Sequence, residues 1–385
     1  MARFRDALAR PGLSAIAEVK RRSPSAGDLR PDADPAALAA SFESAGAAAV
    51  SVLVDERFGG SPADLAAAGS ASRLPLLAKG FFSTAGELAE LRRAGADAVL
   101  LLLRDLDDAC VRGLLERAAE LGLDALVEAH DVEELDRAVR LDAPVIGINA
   151  RDLDTFEIDR EAQLALVERA PRDRMVVAES GIGSRAQGAE AELAGAEAIL
   201  VGSALMRAPD PAAKLEELIA QPLVKVCGLT REEDVAVAAE AGADLAGFVL
   251  ARETPRRAAG VLPVPETMLS VAVHVGEVGE EADLVQLYQR ENGHRARDGV
   301  LLRNGREVAR VVDRPWQEDD PTNLERARTT AGRVVLAGGL SPENVRGAIE
   351  AVSPWAVDAS SSLESAPGIK DHARVRAYVE AARCS

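Results

Sequence analysis

Apolar residues arrive along this chain in short unbroken runs rather than in alternation with polar ones. IAEV at 16–19, AVSVL at 49–53, AVLLL at 98–102, VIGI at 145–148, MVVA at 175–178 and AILV at 198–201 are the clearest. A brief continuous run rich in Val, Ile and Leu is what a strand buried on both faces requires. One phrase joins these runs to the Ala/Glu/Leu-rich helical stretches before them: AGAAAVSVL at 45–53, AGADAVLLL at 94–102, AGAEAILVG at 194–202 and AGADLAGFVL at 241–250. The Gly suits a helix C-terminus because it takes the left-handed conformation without strain. Helix, Gly stop and buried strand, repeated, predict parallel α/β architecture.

In residues 1–220 the pattern predicts strands near 14–19, 49–54, 75–78, 97–102, 124–128, 144–149, 175–179 and 197–201. Eight strands with intervening helices predict a closed (β/α)8 barrel. After AQP at 220–222 the pattern restarts, with strands near 223–227, 245–250, 270–275, 283–287, 334–337 and 355–358. The expected fold is α/β: two fused (β/α)8 TIM-type barrels, residues 1–220 and 221–385, set directly against each other by a very short linker. The segment GVLLRNGREVARVVD at 299–313 reads as a two-strand hairpin with an Asn-Gly turn. A two-residue turn cannot join parallel strands, which need a crossover of about a dozen residues or more. The second barrel is therefore expected to be shortened and irregular in its middle.

Composition narrows the function. Of 385 residues, 48% are hydrophobic but only 3% aromatic, so the cores are built of Ala, Val, Leu and Ile. A formal charge of −18 excludes a nucleic-acid binder, which needs a basic surface, yet leaves room for a small phosphorylated anion in a local positive pocket. Cys110, Cys227 and Cys384 are too few and too far apart for a disulfide framework. No apolar run is long enough to span a bilayer and residues 1–20 carry no signal-peptide pattern, so a cytoplasmic protein without membrane partners is expected. The four histidines, His130, His274, His294 and His372, are scattered, so no metal is expected, and His130 reads as a loop residue. GIGSRA at 181–186 matches a loose dinucleotide pattern, but the strand after it lacks the acidic residue that a ribose needs, and no cofactor is expected.

Charged residues stand at the C-terminal tips of the first eight strands, where barrel enzymes place their chemistry. IAEVK puts Glu18 and Lys20 on one face, LLAK ends in Lys79, ALVE in Glu128, VIGINAR in Asn149 and Arg151, and MVVAES in Glu179 and Ser180. An ion-pair network that merely closes the barrel mouth is the bland alternative. GIG at 181–183 and VGS at 201–203 follow the last two strands, where backbone N–H groups often hold a phosphate.

These residues resemble a known family. IAEVKRRSPS at 16–25, LVEAHD at 126–131, IGINARDL at 146–153, AESGI at 178–182 and LVGSALMRA at 200–208 closely resemble indole-3-glycerol phosphate synthase. The resemblance implies a decarboxylating ring closure of carboxyphenylamino-deoxyribulose phosphate to indole glycerol phosphate. It implies Lys79 as general acid, Glu128 as acid or base in later proton transfers, and Lys20 with Glu18 at the substrate's anionic side. It further implies Asn149, Arg151, Glu179 and Ser180 on the anthranilate and hydroxyl groups, and Ser23, Gly181, Gly202 and Ser203 on phosphate. Two departures stand out: Gly80 replaces the family's usual Asp, removing an anchor beside Lys79, and the N-terminal helical extension is largely missing.

The second region resembles phosphoribosylanthranilate isomerase through KVCGLTREED, GFVL followed by TPR, LAGGLSPENV and VDASSSLESAPGIKD. The chain as a whole thus resembles a bifunctional enzyme of tryptophan biosynthesis. The second resemblance implies an Amadori rearrangement that makes the synthase's substrate, with Cys227 as base. A strand-tip thiol near a cation, here Lys225, is open to ionisation near neutral pH. Asp313 best matches the acid, with Asp319 and Asp320 as rivals. Gly338, Gly339, Ser360 and Ser361 match the phosphate loops, Ser362 stands where the family prefers Gly, and Arg256 and Asp358 are expected substrate contacts. Three alternatives stay open: a degenerate second barrel beside an active synthase, an isomerase of shifted specificity, and a phosphosugar-binding protein without turnover. A monomer is expected.

Overall fold

The computed structural model describes residues 3–23, 27–251, 254–279, 282–291, 294–314 and 322–384. The chain divides into two compact units, one of residues 1–184 and 188–219, the other of 185–187 and 220–385. Among the described residues no helix is long and apolar enough to cross a membrane.

In the first unit eight parallel strands close a barrel: β1 (Ser14–Val19), β2 (Ala49–Leu53), β3 (Leu76–Lys79), β4 (Ala98–Leu102), β5 (Asp124–Ala129), β6 (Val145–Asn149), β7 (Met175–Glu179) and β8 (Ala198–Val201). β8 returns to β1, with Ala17 opposite Val201. A helix follows every strand, and the sequence marks where each begins and ends. Asp34, Thr84, Asp107, Asp131 and Asp159 accept backbone N–H groups at helix starts. The Gly of each recurring AGA phrase, Gly46, Gly95, Gly195 and Gly242, has positive φ, as the helix-stop reading requires.

Side-chain alternation sorts the first barrel into layers. Ile16, Ala49, Leu77, Leu100, Leu126, Val145, Val177 and Ala198 form an inner apolar cluster, and Phe4 and Leu8 of the helix Arg3–Leu8 join it, fully buried. Asp124 at the start of β5 accepts the backbone N–H groups of Phe4 and Arg5, fixing that helix under the N-terminal end of the barrel. Further along the strands the same inward face turns polar, two residues on at Glu18, Ser51, Lys79, Glu128 and Glu179 and four residues past Val145 at Asn149. The apolar floor excludes water below, and the charged layer faces the C-terminal mouth.

The second unit closes another eight-stranded barrel: β9 (Leu223–Cys227), β10 (Leu245–Val249), β11 (Leu269–Val275), β12 (Leu284–Glu291), β13 (His294–Arg303), β14 (Arg306–Val312), β15 (Val334–Leu336) and β16 (Ala356–Ala359). β13 runs antiparallel to both neighbours, and every other pairing is parallel. The hairpin read at residues 299–313 is present, with Asn304 and Gly305 both at positive φ between paired Arg303 and Arg306. Among the described residues, no α-helix lies between β10 and β14. Irregular chain after β10 covers part of that arc instead, with Ala258, Val261, Leu262 and Val264 packed against the core.

Candidate functional site

The polar layer of the first barrel gathers around one ammonium. Lys79 Nζ lies 3.3 Å from Glu128 Oε2 and also bonds Glu179 Oε2. Asn149 Nδ2 donates to Glu128 Oε1 at 2.9 Å, and Lys20 pairs with Glu18 at 2.7 Å. Gln163, from the helix Arg160–Arg169, donates to the carbonyls of Ile148 and Glu179 and so holds the ends of β6 and β7 together. Glu179 Oε1 is buried with no hydrogen-bond partner and packs against Gly147, where a Cβ would lie 2.2 Å from it.

Electrostatics separate the roles of these groups. Burial disfavours the charged form of Lys79, but Glu179, Glu128 and Glu18 outweigh it and hold the ammonium well above the usual lysine range. Burial acts against ionised Glu128 too, yet Lys79, His130 and Asn149 keep it well below the usual carboxylate range. At Glu179 burial prevails: only partly offset by Lys79 and reinforced by the charge of Glu128, it pushes the carboxyl up to about 8. Glu18, buried as well, is held down by Lys20 and Lys79. The site thus combines a fixed cation, a fixed carboxylate and a carboxyl that burial inclines to keep its proton, a set suited to acid–base work.

His130 is more than a loop residue. Its Nε2 lies 3.2 Å from Glu128 Oε1 and its Nδ1 3.1 Å from Glu134 Oε2. Burial alone would lower it, but the neighbouring carboxylates of Glu128 and Glu134 push it up to about 10, so the ring is a cation behind Glu128. Gly80 has a local reason: a Cβ there would sit 2.7 Å from the ring of Phe82. Lys79 is anchored instead by the two carboxylates across the barrel.

Ser23, Gly181, Gly202 and Ser203 follow β1, β7 and β8, three consecutive strands, and so share one arc of the rim. Ser180 and Gly181 both have positive φ, turning the chain sharply after β7. The Arg151 backbone N–H donates to Asn149 Oδ1, and its guanidinium donates to the Phe156 carbonyl.

The second barrel carries a different network. Lys225, 1% exposed, bonds Asp358 at 2.8 Å and Gln286 at 2.7 Å. Gln286 donates to the Tyr288 hydroxyl, which donates to Asp313 at 2.9 Å, and Arg295 pairs with the same Asp313 oxygen at 2.9 Å. Cys227 is buried at the tip of β9, and Gly247 on β10 leaves room for it: a Cβ there would lie 2.7 Å from the sulfur. Burial pushes the Cys227 thiol up, reinforced by Asp358 and only partly opposed by Lys225 and Lys370. The expectation of a thiolate near neutral pH is not met in this state, because the desolvation that comes with the strand-tip position exceeds the help of the cations. Burial also raises Asp313, with Arg295 and Tyr288 acting against it. Asp358 Oδ1 is buried without a hydrogen-bond partner.

Gly338 and Gly339 follow β15, and Ser360 and Ser361 follow β16, next to β9. Ser362 donates to the Leu340 carbonyl, tying these two loops together. Lys370 Nζ donates to the Ser360 carbonyl and lies 3.3 Å from Glu364, which Arg256 also pairs with at 2.9 Å. Arg256 is therefore engaged by a glutamate rather than open. Asp319 and Asp320 lie outside the described residues. Sequence reasoning missed His130, Gln163, Gln286, Tyr288, Arg295 and Lys370. His130 had a signal, since it lies two residues after Glu128 and four before Glu134.

Comparison with known proteins gives each half a likeness. Residues 1–218 match the family model described as indole-3-glycerol phosphate synthase, and residues 320–381 the one described as N-(5'-phosphoribosyl)anthranilate isomerase. An indole-3-glycerol phosphate synthase of Parafrankia sp. (strain EAN1pec) is 48% identical over 219 residues, covering 56% of this chain and 82% of the relative. One from Nocardioides sp. is 50% identical over 201 residues, covering 52% and 77%. Among solved structures, a phosphoribosyl anthranilate isomerase from Thermotoga maritima is similar at 26% identity with TM-score 0.33, covering 43% of this chain and all of that one.

Proposed function

The chain belongs to the indole-3-glycerol phosphate synthase family, and from that premise we propose that it is a bifunctional enzyme catalysing two consecutive steps of tryptophan biosynthesis. The observation that carries the reading is Lys79, held charged between Glu128 and Glu179 at the C-terminal mouth of the first barrel. In that barrel the ring carbon bearing the carboxylate of carboxyphenylamino-deoxyribulose phosphate attacks the ribulose carbonyl. Lys79 donates a proton to the carbonyl oxygen as charge develops there. Loss of CO2 and then of water gives indole glycerol phosphate, with Glu128 moving protons in the later steps. Asn149, Arg151, Glu179 and Ser180 hold the ring and hydroxyl groups, Lys20, with Glu18 beside it, the anionic side, and Ser23, Gly181, Gly202 and Ser203 the phosphate.

The second barrel makes that substrate. Asp313 gives its proton to the furanose oxygen of phosphoribosylanthranilate, opening the ring to an iminium, and Cys227 as thiolate removes the C2′ proton. The enolamine then becomes the ketone. Gly338, Gly339, Ser360 and Ser361 hold the phosphate, with Asp358 at the substrate and Arg256, bound by Glu364, beside it. A monomeric, cytoplasmic enzyme belongs to the same proposal. The test is separate complementation of synthase-deficient and isomerase-deficient cells. Rescue of both is expected; rescue of only the synthase strain sinks bifunctionality, and rescue of neither sinks the whole reading.

A further inference from the structure

We propose that His130, held in place by Glu134, relays protons from solvent to Glu128 during the synthase reaction. The inference rests on the synthase reading above and adds a residue that acts through Glu128. That reaction takes up more protons than it releases. Ring closure puts one proton on the carbonyl oxygen, and the hydroxyl so formed needs a second to leave as water. The methylene carbon beside the nitrogen gives one up when the indole double bond forms, and the carboxylate departs as CO2 without one. Each turnover therefore draws one net proton from solvent. Lys79 and Glu128, which handle the others, sit in a layer that the bound substrate covers.

His130 stands where that proton can enter from the side. It directly follows β5, and its ring bridges Glu128 to Glu134, in the first turn of the helix Val132–Arg140. Nδ1 lies 3.1 Å from Glu134 Oε2 and Nε2 3.2 Å from Glu128 Oε1, and the other Glu128 oxygen is 3.3 Å from Lys79 Nζ. Glu134, His130, Glu128 and Lys79 thus form one file of titratable groups. Exposure falls along it from 15% at the His130 side chain to 2% at Glu128. The helix start does not need the ring: Glu134 Oε2 takes the backbone N–H of His130 at 2.8 Å, which every residue but proline supplies. Glu128 does not need it as a fixed donor either, because Asn149 already donates to Oε1. Nε2 has no aligned acceptor, so its proton is handed over when the ring or the carboxylate turns. Glu128 and Glu134 keep the ring protonated, Lys79 faces it across Glu128, and Arg104, after β4, acts on Glu134. The imidazolium gives its Nε2 proton to Glu128. Glu128 passes one to Lys79 after the lysine has protonated the substrate, and the neutral ring takes a proton back from water.

The experiment follows indole glycerol phosphate fluorescence as the full chain converts the ring-open substrate. His130→Gln, which keeps a polar side chain beside Glu134 but carries no proton, is expected to lower kcat by about 10²-fold with KM unchanged. His130→Ala should be slowed alike, and imidazole in the buffer should speed it in proportion to its protonated form while leaving the unmodified chain unaffected. Glu134→Gln removes a carboxylate that keeps the ring charged. The relay works only while the ring is protonated, so the alkaline fall in kcat should move down by about one pH unit or more. Unchanged kcat in both histidine variants, or a slow His130→Ala that imidazole does not speed, overturns the relay. An alkaline limb unmoved in Glu134→Gln overturns it too, whether or not the histidine variants fold. No indole glycerol phosphate from the unmodified chain overturns the synthase reading itself.

Discussion

The two barrels share a frame and differ in how it is filled. In the first, every strand is followed by a helix, and the polar layer is a cluster of three carboxylates and two lysines above an apolar floor. In the second, the arc from β10 to β14 has no α-helix among the described residues, and one buried ion pair passes its influence through Gln286 and Tyr288 to a second pair at the mouth. Closure, then, depends on strand pairing rather than on a complete coat of helices. Reversing β13 keeps it in the ladder, but register shifts between Tyr288 and Arg290 and between Leu301 and Leu302 interrupt the in–out alternation. What changes is which residues reach the rim, and the reversal brings an arginine there.

The strongest way to break this division of labour is to disable one mouth at a time. Lys79→Ala is expected to cut indole glycerol phosphate formation by about 10³-fold and to leave ribotide isomerisation intact. Cys227→Ser should do the converse, by about 10²-fold or more. A single substitution that lowers both rates in steady-state assays would mean the sites are not separate.

The pH profiles should diverge next. Cys227 works as a base only as thiolate, and burial pushes its thiol up, so the active fraction grows with pH and isomerisation should climb from pH 7 into the alkaline range. Lys79 works only as the ammonium, which its carboxylates keep charged throughout, so synthase activity should not climb. Parallel profiles from the two assays would remove the distinction.

Smaller effects probe each frame. Gly80→Asp forces a side chain into Phe82 and should destabilise the first barrel by about 1–3 kcal/mol in denaturant unfolding. Gly305→Ala meets no neighbour within 4 Å, so it carries only backbone strain at φ 72° and should cost the second barrel about 1 kcal/mol. A larger loss at Gly305 than at Gly80 would invert the picture of a tightly packed first mouth and a tolerant second turn.

Much of this was legible in the sequence, because the signals were local. Unbroken apolar runs located the strands, the AGA phrases located helix stops, and the two-residue turn at Asn304 and Gly305 exposed the irregular quarter. The ends of the apolar runs placed Lys79, Glu128 and Glu179 at the C-terminal tips of their strands. Three things were out of reach, each for a physical reason. The ionisation of Cys227 depends on how much water its fold removes, which neighbouring Lys225 does not report. The partners of His130 stand two and four residues away, but their convergence needs the turn between β5 and its helix. Arg295 sits in HRARDGVLLR, whose inward face is defined only once β13 has paired with both neighbours.

The reversed strand also bears on how the second barrel assembles. Parallel neighbours must meet across long crossovers, whose closing entropy is lost before any contact rewards it. Strands β12, β13 and β14 instead pair antiparallel in succession, with Glu291 opposite His294 and Arg303 opposite Arg306. Their partners lie close in sequence, so this quarter can gain structure early and offer β11 and β15 a formed edge on each side. The same replacement of crossovers by hairpins that thins the helical coat gives the barrel a local seed from which to close.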